Sequence, residues 1–191
     1  MAIKYNVCLD CGSNKSAKII YGMPTHEVKP KVERGDIILG GCSLPETHKD
    51  YQCKSCGFEW SKEEAVDDAY RKITSIKANI GGFFGNSYEI EWRISTGEVT
   101  HLYWEISREE DPVTFNTTYH NAHYLDSIKS INLLRWKRDY QPEEMVLDGT
   151  SWSVEIEKGD KVISKHGCNA YPKTWEQFCE LMEEVSGKTF N

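Results

Sequence analysis

The sequence predicts an α+β protein made of a small metal-bound N-terminal domain and a C-terminal antiparallel sheet with two helices. Two CxxCG segments lie within the first 60 residues, segments of alternating apolar and polar residues follow residue 87, and two later stretches repeat apolar residues at helical spacing. With 191 residues, of which 39% are hydrophobic, the chain is long enough for one large domain or two small ones and apolar enough to bury a core.

The two CxxCG segments predict a metal site. The first, CLDCG, starts at Cys8, and the second, CKSCG, starts at Cys53. Each is a short loop whose two sulfurs point to one spot, and the final glycine lets the chain turn. The four thiolates of Cys8, Cys11, Cys53 and Cys56 are the tetrahedral set that a structural zinc ion requires. Zinc is favoured because closed four-cysteine sites usually hold it, although four thiolates also suit iron.

The N-terminal elements are expected to be short. Strands are predicted at residues 3–7, 18–21, 36–39, 51–52 and 58–60. Thr25 can cap a helical turn that reaches Arg34, but Pro30 lacks an amide donor and limits it to a short or kinked helix. Gly40 and Gly41 predict a tight or bulged turn after the third strand.

The runs IYGMPT and ERGDIILGGC lie between the two CxxCG loops, and FEW follows the second loop. In this order of motifs, residues 1–60 resemble a bacterial family of small, uncharacterised zinc-ribbon proteins. The resemblance implies a zinc-ribbon, rubredoxin-like fold. It implies no activity, because the family has none to carry over. Pro30 departs from the helical segment of that family.

Residues 61–75 are predicted to connect the two domains through a helix that ends near residue 72. Ser61 and Glu64 fit a capping box at its start. Its apolar stripe is Ala65, Val66, Ala69 and Tyr70, and its other faces are charged. The predicted boundaries are therefore 1–60 for the zinc-ribbon domain, 61–75 for the connector and 76–191 for the α+β domain.

The α+β domain opens with a glycine-rich turn at 81–85, which lacks the GKS/T ending of a phosphate-binding loop. Strands are expected at 88–94, 99–106, 112–119, 151–157 and 161–165, and they include two hairpins. Helices are expected at 121–138 and from Thr174 to Gly187, with Gln177 completing a capping box for the second. The buried face predicted for that second helix is Trp175, Phe178, Cys179, Met182 and Val185.

The closing run DGTSWSVEI is followed by GCNAYP and the last helix. It is similar to the C-terminal segment of uncharacterised bacterial proteins that combine a Trp-bearing hairpin, an Asn-x-x-Pro loop and a helix. The similarity starts at Asp148 and brings no catalytic residue. Asn169, in this loop, is expected to satisfy loop backbone rather than to bind a substrate.

Composition and charge indicate the compartment and the partners. An odd number of cysteines (seven), four of them in paired loops, and no signal peptide together predict a reducing cytoplasm. No apolar run reaches the roughly 20 residues of a membrane helix, so no membrane partner is expected. Residues 1–60 carry eight basic and seven acidic side chains, and the remainder carries 15 and 23. The acidic C-terminal part repels phosphate, so no binding to duplex nucleic acid is expected.

The other cysteines and the histidines are weaker candidates. Cys42 lies between the two loops, where it either supplements the metal ligands or, in our preferred interpretation, is a buried small residue like Cys168 and Cys179. A second metal site could be imagined from His101, His120, His123 and His166. No third ligand lies at a motif spacing, so solvated or hydrogen-bonded histidines are favoured.

Two functional hypotheses follow from these residues. The first is a zinc-binding, non-enzymatic module that binds a protein partner or a small ligand. The alternative is a rubredoxin-like iron protein that transfers electrons. The sequence contains no GxSxG, HExxH or P-loop pattern and singles out no catalytic residue, so an enzyme with its site in the C-terminal domain is the weakest interpretation.

Overall fold

A computed structural model describes residues 3–82, 85–105, 111–142 and 149–190. Its contacts divide the chain into two units, Met1–Ala69 and Tyr70–Asn191. Within the described ranges there are two sheets and four α-helices, which confirms the α+β prediction. None of these helices is long and apolar enough to cross a membrane.

The first unit is organised around a small four-stranded sheet. Its elements are β1 (Ser16–Ile20), α1 (Lys29–Glu33), β2 (Ile37–Leu39), β3 (Tyr51–Cys53), β4 (Glu59–Trp60) and the start of α2 (Lys62–Arg71). The strand order is β2-β1-β3-β4. β1 pairs parallel with β2 and antiparallel with β3, and β3 forms an antiparallel hairpin with β4. This hairpin carries the second CxxCG loop.

One expectation for the first unit needs correction. Residues 3–7 form no strand, because side chains rather than a neighbouring strand bind their carbonyls. The Tyr5 carbonyl accepts the Trp60 indole N–H at 2.8 Å, and the Asn6 carbonyl accepts the Ser16 hydroxyl at 2.9 Å. The short helix expected from Pro30 is confirmed, because α1 has five residues and Pro30 lies in its first turn, where an amide has no helical partner.

The second unit contains a seven-stranded sheet. Its elements are β5 (Ile73–Gly82), β6 (Ser87–Arg93), β7 (Glu98–Trp104), β8 (Val113–Thr118), α3 (Tyr124–Ser130), a 3-10 turn (Leu133–Arg135), β9 (Asp139–Tyr140), β10 (Thr150–Lys158), β11 (Lys161–Cys168) and α4 (Trp175–Ser186). The strand order is β8-β7-β6-β5-β10-β11-β9. All neighbours are antiparallel except β9 and β11. The two predicted hairpins are β6–β7 and β10–β11.

The core of the second unit lies between one face of this sheet and its helices. α4 buries the predicted residues Trp175, Phe178, Cys179, Met182 and Val185 and lies against β6, β7 and β8. Its aromatic side chains join a cluster with Trp136 and Trp152, in which the Trp152 and Trp175 ring centroids are 4.6 Å apart. Gly187 ends α4 in the left-handed conformation, as predicted.

Local details of the second unit differ from expectation. The helix predicted at 121–138 stops early because Asn132 adopts a left-handed backbone with φ 57°. The capping box predicted at Thr174 is wrong, since its hydroxyl donates to the Ile131 carbonyl at 2.6 Å instead of capping α4. Asn169 does satisfy loop backbone, because its side-chain oxygen accepts the Thr150 amide at 2.8 Å.

Parts of three predictions fall outside the described residues. They are positions 83–84 of the glycine-rich turn, Ile106 at the end of the second predicted strand, and Asp148 at the start of the closing run.

Candidate metal centre

The two CxxCG loops have the same backbone design. In each, the first cysteine amide donates to the carbonyl five residues later, at 2.9 Å from Cys8 to Ser13 and 2.8 Å from Cys53 to Phe58. The glycine amide donates a hydrogen bond to the carbonyl of the first cysteine, at 3.1 Å for Gly12 and 3.0 Å for Gly57. Both glycines have positive φ, 71° and 79°, a conformation that glycine adopts at little cost.

This design brings the four predicted sulfurs together. Their Sγ atoms all lie within 4.8 Å of one another. Cys8 and Cys56 are separated by 3.6 Å, as are Cys11 and Cys53, so the shortest contacts run between the loops. A zinc–sulfur bond of 2.3 Å implies a tetrahedral sulfur–sulfur edge of about 3.8 Å. The four cysteines can therefore hold a metal ion, and the contacts are too long for disulfides.

Amide groups and hydroxyls support the sulfurs. The Cys11 amide donates to Sγ of Cys8 at 3.5 Å, and the Ser55 amide donates to Sγ of Cys53 at 3.4 Å. Such bonds favour the thiolate form that a metal requires. The hydroxyls of Ser13 and Ser55 lie 3.1 Å apart and join the two loops. This link could not be predicted, because no local pattern relates residues so far apart in the chain.

A compact apolar cluster lies behind the site. Cys8 and Cys53 are buried together with Trp60 and Ala65, and Tyr51 packs against them. The rings of Tyr51 and Trp60 stack with centroids 5.7 Å apart. Because Trp60 is fully buried and its indole N–H is hydrogen-bonded to Tyr5, it fixes the N-terminal segment beside the first loop.

Without a cation, the four thiols cannot all ionise easily. Amide donation from Cys56, followed by that from Ser55, lowers the pKa of Cys53 to about 6 against the effect of burial. At Cys56 the Phe58 amide acts to lower the pKa, but desolvation and the neighbouring thiols raise it to about 12. The first thiolate thus forms readily, and its negative charge disfavours ionisation of the neighbouring thiols. A divalent metal supplies the positive charge that lets all four ionise.

The remaining cysteines and histidines lie apart from this centre. Cys42 is exposed, so the preferred interpretation of a buried residue is wrong for it; Cys179 is buried and Cys168 half-buried. In the ranges that the structure describes, the four cysteines form the one group of His, Cys, Asp or Glu side chains placed to hold a metal.

The histidines have other neighbours. His101 is buried, and its Nε2 lies 2.9 Å from the Thr189 carbonyl. His166 and His123 lie 3.3 Å and 3.8 Å from Asp139 and Asp126, respectively. These contacts agree with the preference for hydrogen-bonded or solvated histidines.

The sequence matches no protein-family model and no curated protein.

Proposed function

We propose that this chain is a zinc-binding, non-enzymatic binding module whose four cysteines hold one structural Zn²⁺. The observation that carries the proposal is the convergence of the Cys8, Cys11, Cys53 and Cys56 sulfurs within 4.8 Å, with two contacts near a tetrahedral edge. Zinc prefers this ligand set and this geometry.

A structural rather than catalytic role is supported by the ligand count. Four protein ligands complete a tetrahedral zinc site, whereas catalytic zinc sites keep one position for water or substrate. The first unit also has short strands and a small apolar cluster. Units of this size are only marginally stable unless a metal ion or a disulfide stabilises the fold. Metal binding would supply the missing folding free energy.

The arrangement of the loops also supports the proposed zinc-ribbon, rubredoxin-like class. Two equivalent CxxCG turns face each other, and the second is carried by the β3–β4 hairpin. Under this proposal the second unit serves a protein partner or small ligand in the cytoplasm. Its excess of acidic side chains supports the absence of duplex nucleic acid from its partners.

Iron is the second candidate, because one structural feature also favours electron transfer. Cys11 and Cys56 are exposed, which places one side of the site close to the surface. Amide-to-sulfur hydrogen bonds and solvent exposure are both features that tune the potential of iron–thiolate centres.

Elemental analysis tests the two candidates directly. The chain is expressed in medium containing both zinc and iron, purified without chelator, and its metal content is measured with its visible spectrum. We expect one zinc per chain and a colourless protein. A red protein that contains iron would support the electron-transfer candidate, and a metal content near zero would contradict both.

A further inference from the structure

The strand β8 (Val113–Thr118) forms one edge of the seven-stranded sheet. It pairs with β7 on one side, and no strand within the described residues pairs with its other side. All six of its residues are exposed. The strand at the opposite edge, β9, has only two residues and carries the Asp139 carboxylate. The outer side of β8, called the β8 edge below, is therefore the longer open edge of this sheet.

The hydrogen-bonding phase of β8 follows from the residue pair next to its end. The Tyr119 amide donates to the Gly97 carbonyl at 2.8 Å. These two residues continue the antiparallel β7–β8 register, in which Glu98 pairs with Thr118. Hydrogen-bonded and non-hydrogen-bonded pairs alternate along an antiparallel ladder. The odd-numbered residues of β8 therefore bond to β7, and the even-numbered residues direct their amides and carbonyls outward.

The outward groups belong to Thr114, Asn116 and Thr118. Each of these residues offers an amide donor and a carbonyl acceptor to another strand. Natural edge strands are commonly protected by charged side chains, by proline or by a bulge. The β8 sequence VTFNTT contains neither charge nor proline, and its register with β7 is continuous. The β8 edge thus lacks the usual features that prevent strand pairing.

The side chains of β8 leave apolar surface at this edge. Val113 and Phe115 are 44% and 39% exposed, although they lie on the same face of the sheet as the buried Val99 and His101 of β7. The centroid of the Phe115 ring is 5.9 Å from that of His101 and 4.1 Å from the Lys188 ammonium. The apolar face of the second unit therefore continues to the β8 edge and is uncovered there.

We propose that β8 pairs antiparallel with β8 of a second copy of this chain, about a two-fold axis at Phe115. In this register Thr114 lies opposite Asn116 of the second copy, and both residues are in phase for hydrogen bonding. The two pairs related by the axis supply two backbone hydrogen bonds each. The two Phe115 rings face each other, and each Val113 lies opposite Thr117 of the other copy. These contacts extend the apolar face of the sheet across the axis.

The absence of charge in β8 favours a second copy as the partner. Two chains of net charge −7 repel each other over most of their surface. Along β8 no like charges are opposed, because the strand carries none. A basic segment of another protein, which an acidic chain attracts, finds no carboxylate in this strand. The two-fold axis also uses the β8 edge of both copies, so the assembly closes at a dimer.

Sedimentation equilibrium of the full-length chain, as purified, tests the association. We expect the mass to rise with concentration from that of one chain to that of two and to stop there. The dissociation constant should be on the order of 10 µM, because an interface of one strand from each copy is small. A chain that stays monomeric about a hundredfold above this concentration contradicts the proposal, as do species larger than a dimer.

Amide hydrogen exchange tests the register. The Phe115 and Thr117 amides bond to β7 and should be protected at every concentration. The Thr114 and Asn116 amides should exchange rapidly in the monomer and become at least about tenfold more protected as the dimer forms. A doubled mass without this gain in protection would show that the copies associate through another surface, and it would overturn the proposal.

Variants of Asn116 separate the backbone from the side chain. Asn116→Pro removes the outward amide, and proline is tolerated on an edge strand where its nitrogen faces away from the sheet. It should weaken dimerisation at least about tenfold, because two hydrogen bonds are lost per dimer. Asn116→Ala is the matched control, since it also loses the bond from the Thr100 hydroxyl at 3.1 Å but keeps the amide. Its dissociation constant should stay within about twofold of the wild-type value.

Equal dimerisation of the wild-type chain and Asn116→Pro would overturn the proposal. The exchange pattern of the wild-type chain keeps the proposal testable if Asn116→Pro fails to fold. None of these outcomes depends on which metal the first unit binds.

Discussion

The four metal-site cysteines differ in their surroundings. Cys8 and Cys53 are buried against Trp60 and Ala65, whereas Cys11 and Cys56 are exposed. The inner pair would therefore link a bound metal to the apolar cluster of the first unit. Loss of an inner cysteine should disturb both metal binding and packing, because the two depend on the same side chain.

Cys53→Ser should abolish stoichiometric zinc binding, because a neutral hydroxyl replaces a thiol whose pKa is lowered to about 6 by amide hydrogen bonds. The Trp60 indole N–H resonance should shift toward its unfolded position, since the cluster around it loses its metal support. Zinc content and this resonance are the two measurements. Cys42→Ser is the matched control, because Cys42 is exposed and lies outside the four-sulfur group. Equal zinc loss in both variants would contradict the assigned ligands.

At the residue scale, local spacing was enough to find the four converging cysteines but not their surroundings. A CxxCG segment fixes its own loop, so Cys8, Cys11, Cys53 and Cys56 could be selected without a structure. The exposure of Cys42 depends on how the β1–β2 region folds. The burial of Trp92 depends on Tyr119 and Tyr124, whose rings pack against it and which come later in the chain. Neither signal is present in the neighbouring residues.

At the element scale, β5 shows why a central strand can escape prediction. Its buried side chains include Ile73, Ile76, Ala78 and Ile80. The register against β10 shifts between Glu157 and Lys158, so Ile73 and Ile76 are three residues apart while later positions alternate. A bulge of this kind breaks the period of two on which strand prediction depends. The hairpins β6–β7 and β10–β11 are predictable because their turns and alternation are local.

The start of α2 was predictable for the same reason, and its capping box is present. The Glu64 amide donates to the Ser61 hydroxyl at 3.1 Å, and the Ser61 amide donates to the Glu64 carboxylate at 2.6 Å. Lys49 and then the Ser61 amide hold the pKa of Glu64 below its usual value. The folded-state pKa is therefore lower than the unfolded one, so this stabilisation is present at neutral pH and is lost as the pH falls through the folded pKa.

Ser61→Ala should lower the free energy of unfolding of the zinc-loaded first unit by about 1 kcal/mol, because one helix amide loses its acceptor. Urea-induced unfolding followed by circular dichroism measures this change. Ser43→Ala is the control, since Ser43 is exposed and has no hydrogen bond in the described structure. An equal stability of the two variants would show that the capping box contributes nothing.

At the scale of the whole molecule, the contacts divide the chain between residues 69 and 70, which lies inside the predicted connector of residues 61–75. The second unit starts at Tyr70, whose buried hydroxyl accepts the Leu134 amide at 3.2 Å. The sequence placed the start of the α+β domain at residue 76, since the charged helix and the later alternation were visible and β5 was not. A domain cut at 76 loses Tyr70 and Ile73, both of which are buried.

A fragment of residues 70–191 should fold, and one of residues 76–191 should be less stable. The shorter fragment lacks the Ile73 and Ser75 pairings with β10 and the Tyr70 contact. Amide dispersion in NMR spectra and the midpoint of urea unfolding compare the two. Unfolded spectra for both fragments would show that the second unit depends on the first. Equal midpoints would show that residues 70–75 add no stability.

The central claim is that a single zinc ion is structural for the first unit and not for the second. It is tested most directly by adding a chelator to the isotope-labelled full-length chain and recording amide spectra. We expect the dispersed resonances of residues 3–69 to collapse while most of those from residues 70–190 stay in place, because only the first unit uses metal binding as folding free energy. Complete removal of zinc with no change in the spectrum of residues 3–69 would contradict the claim.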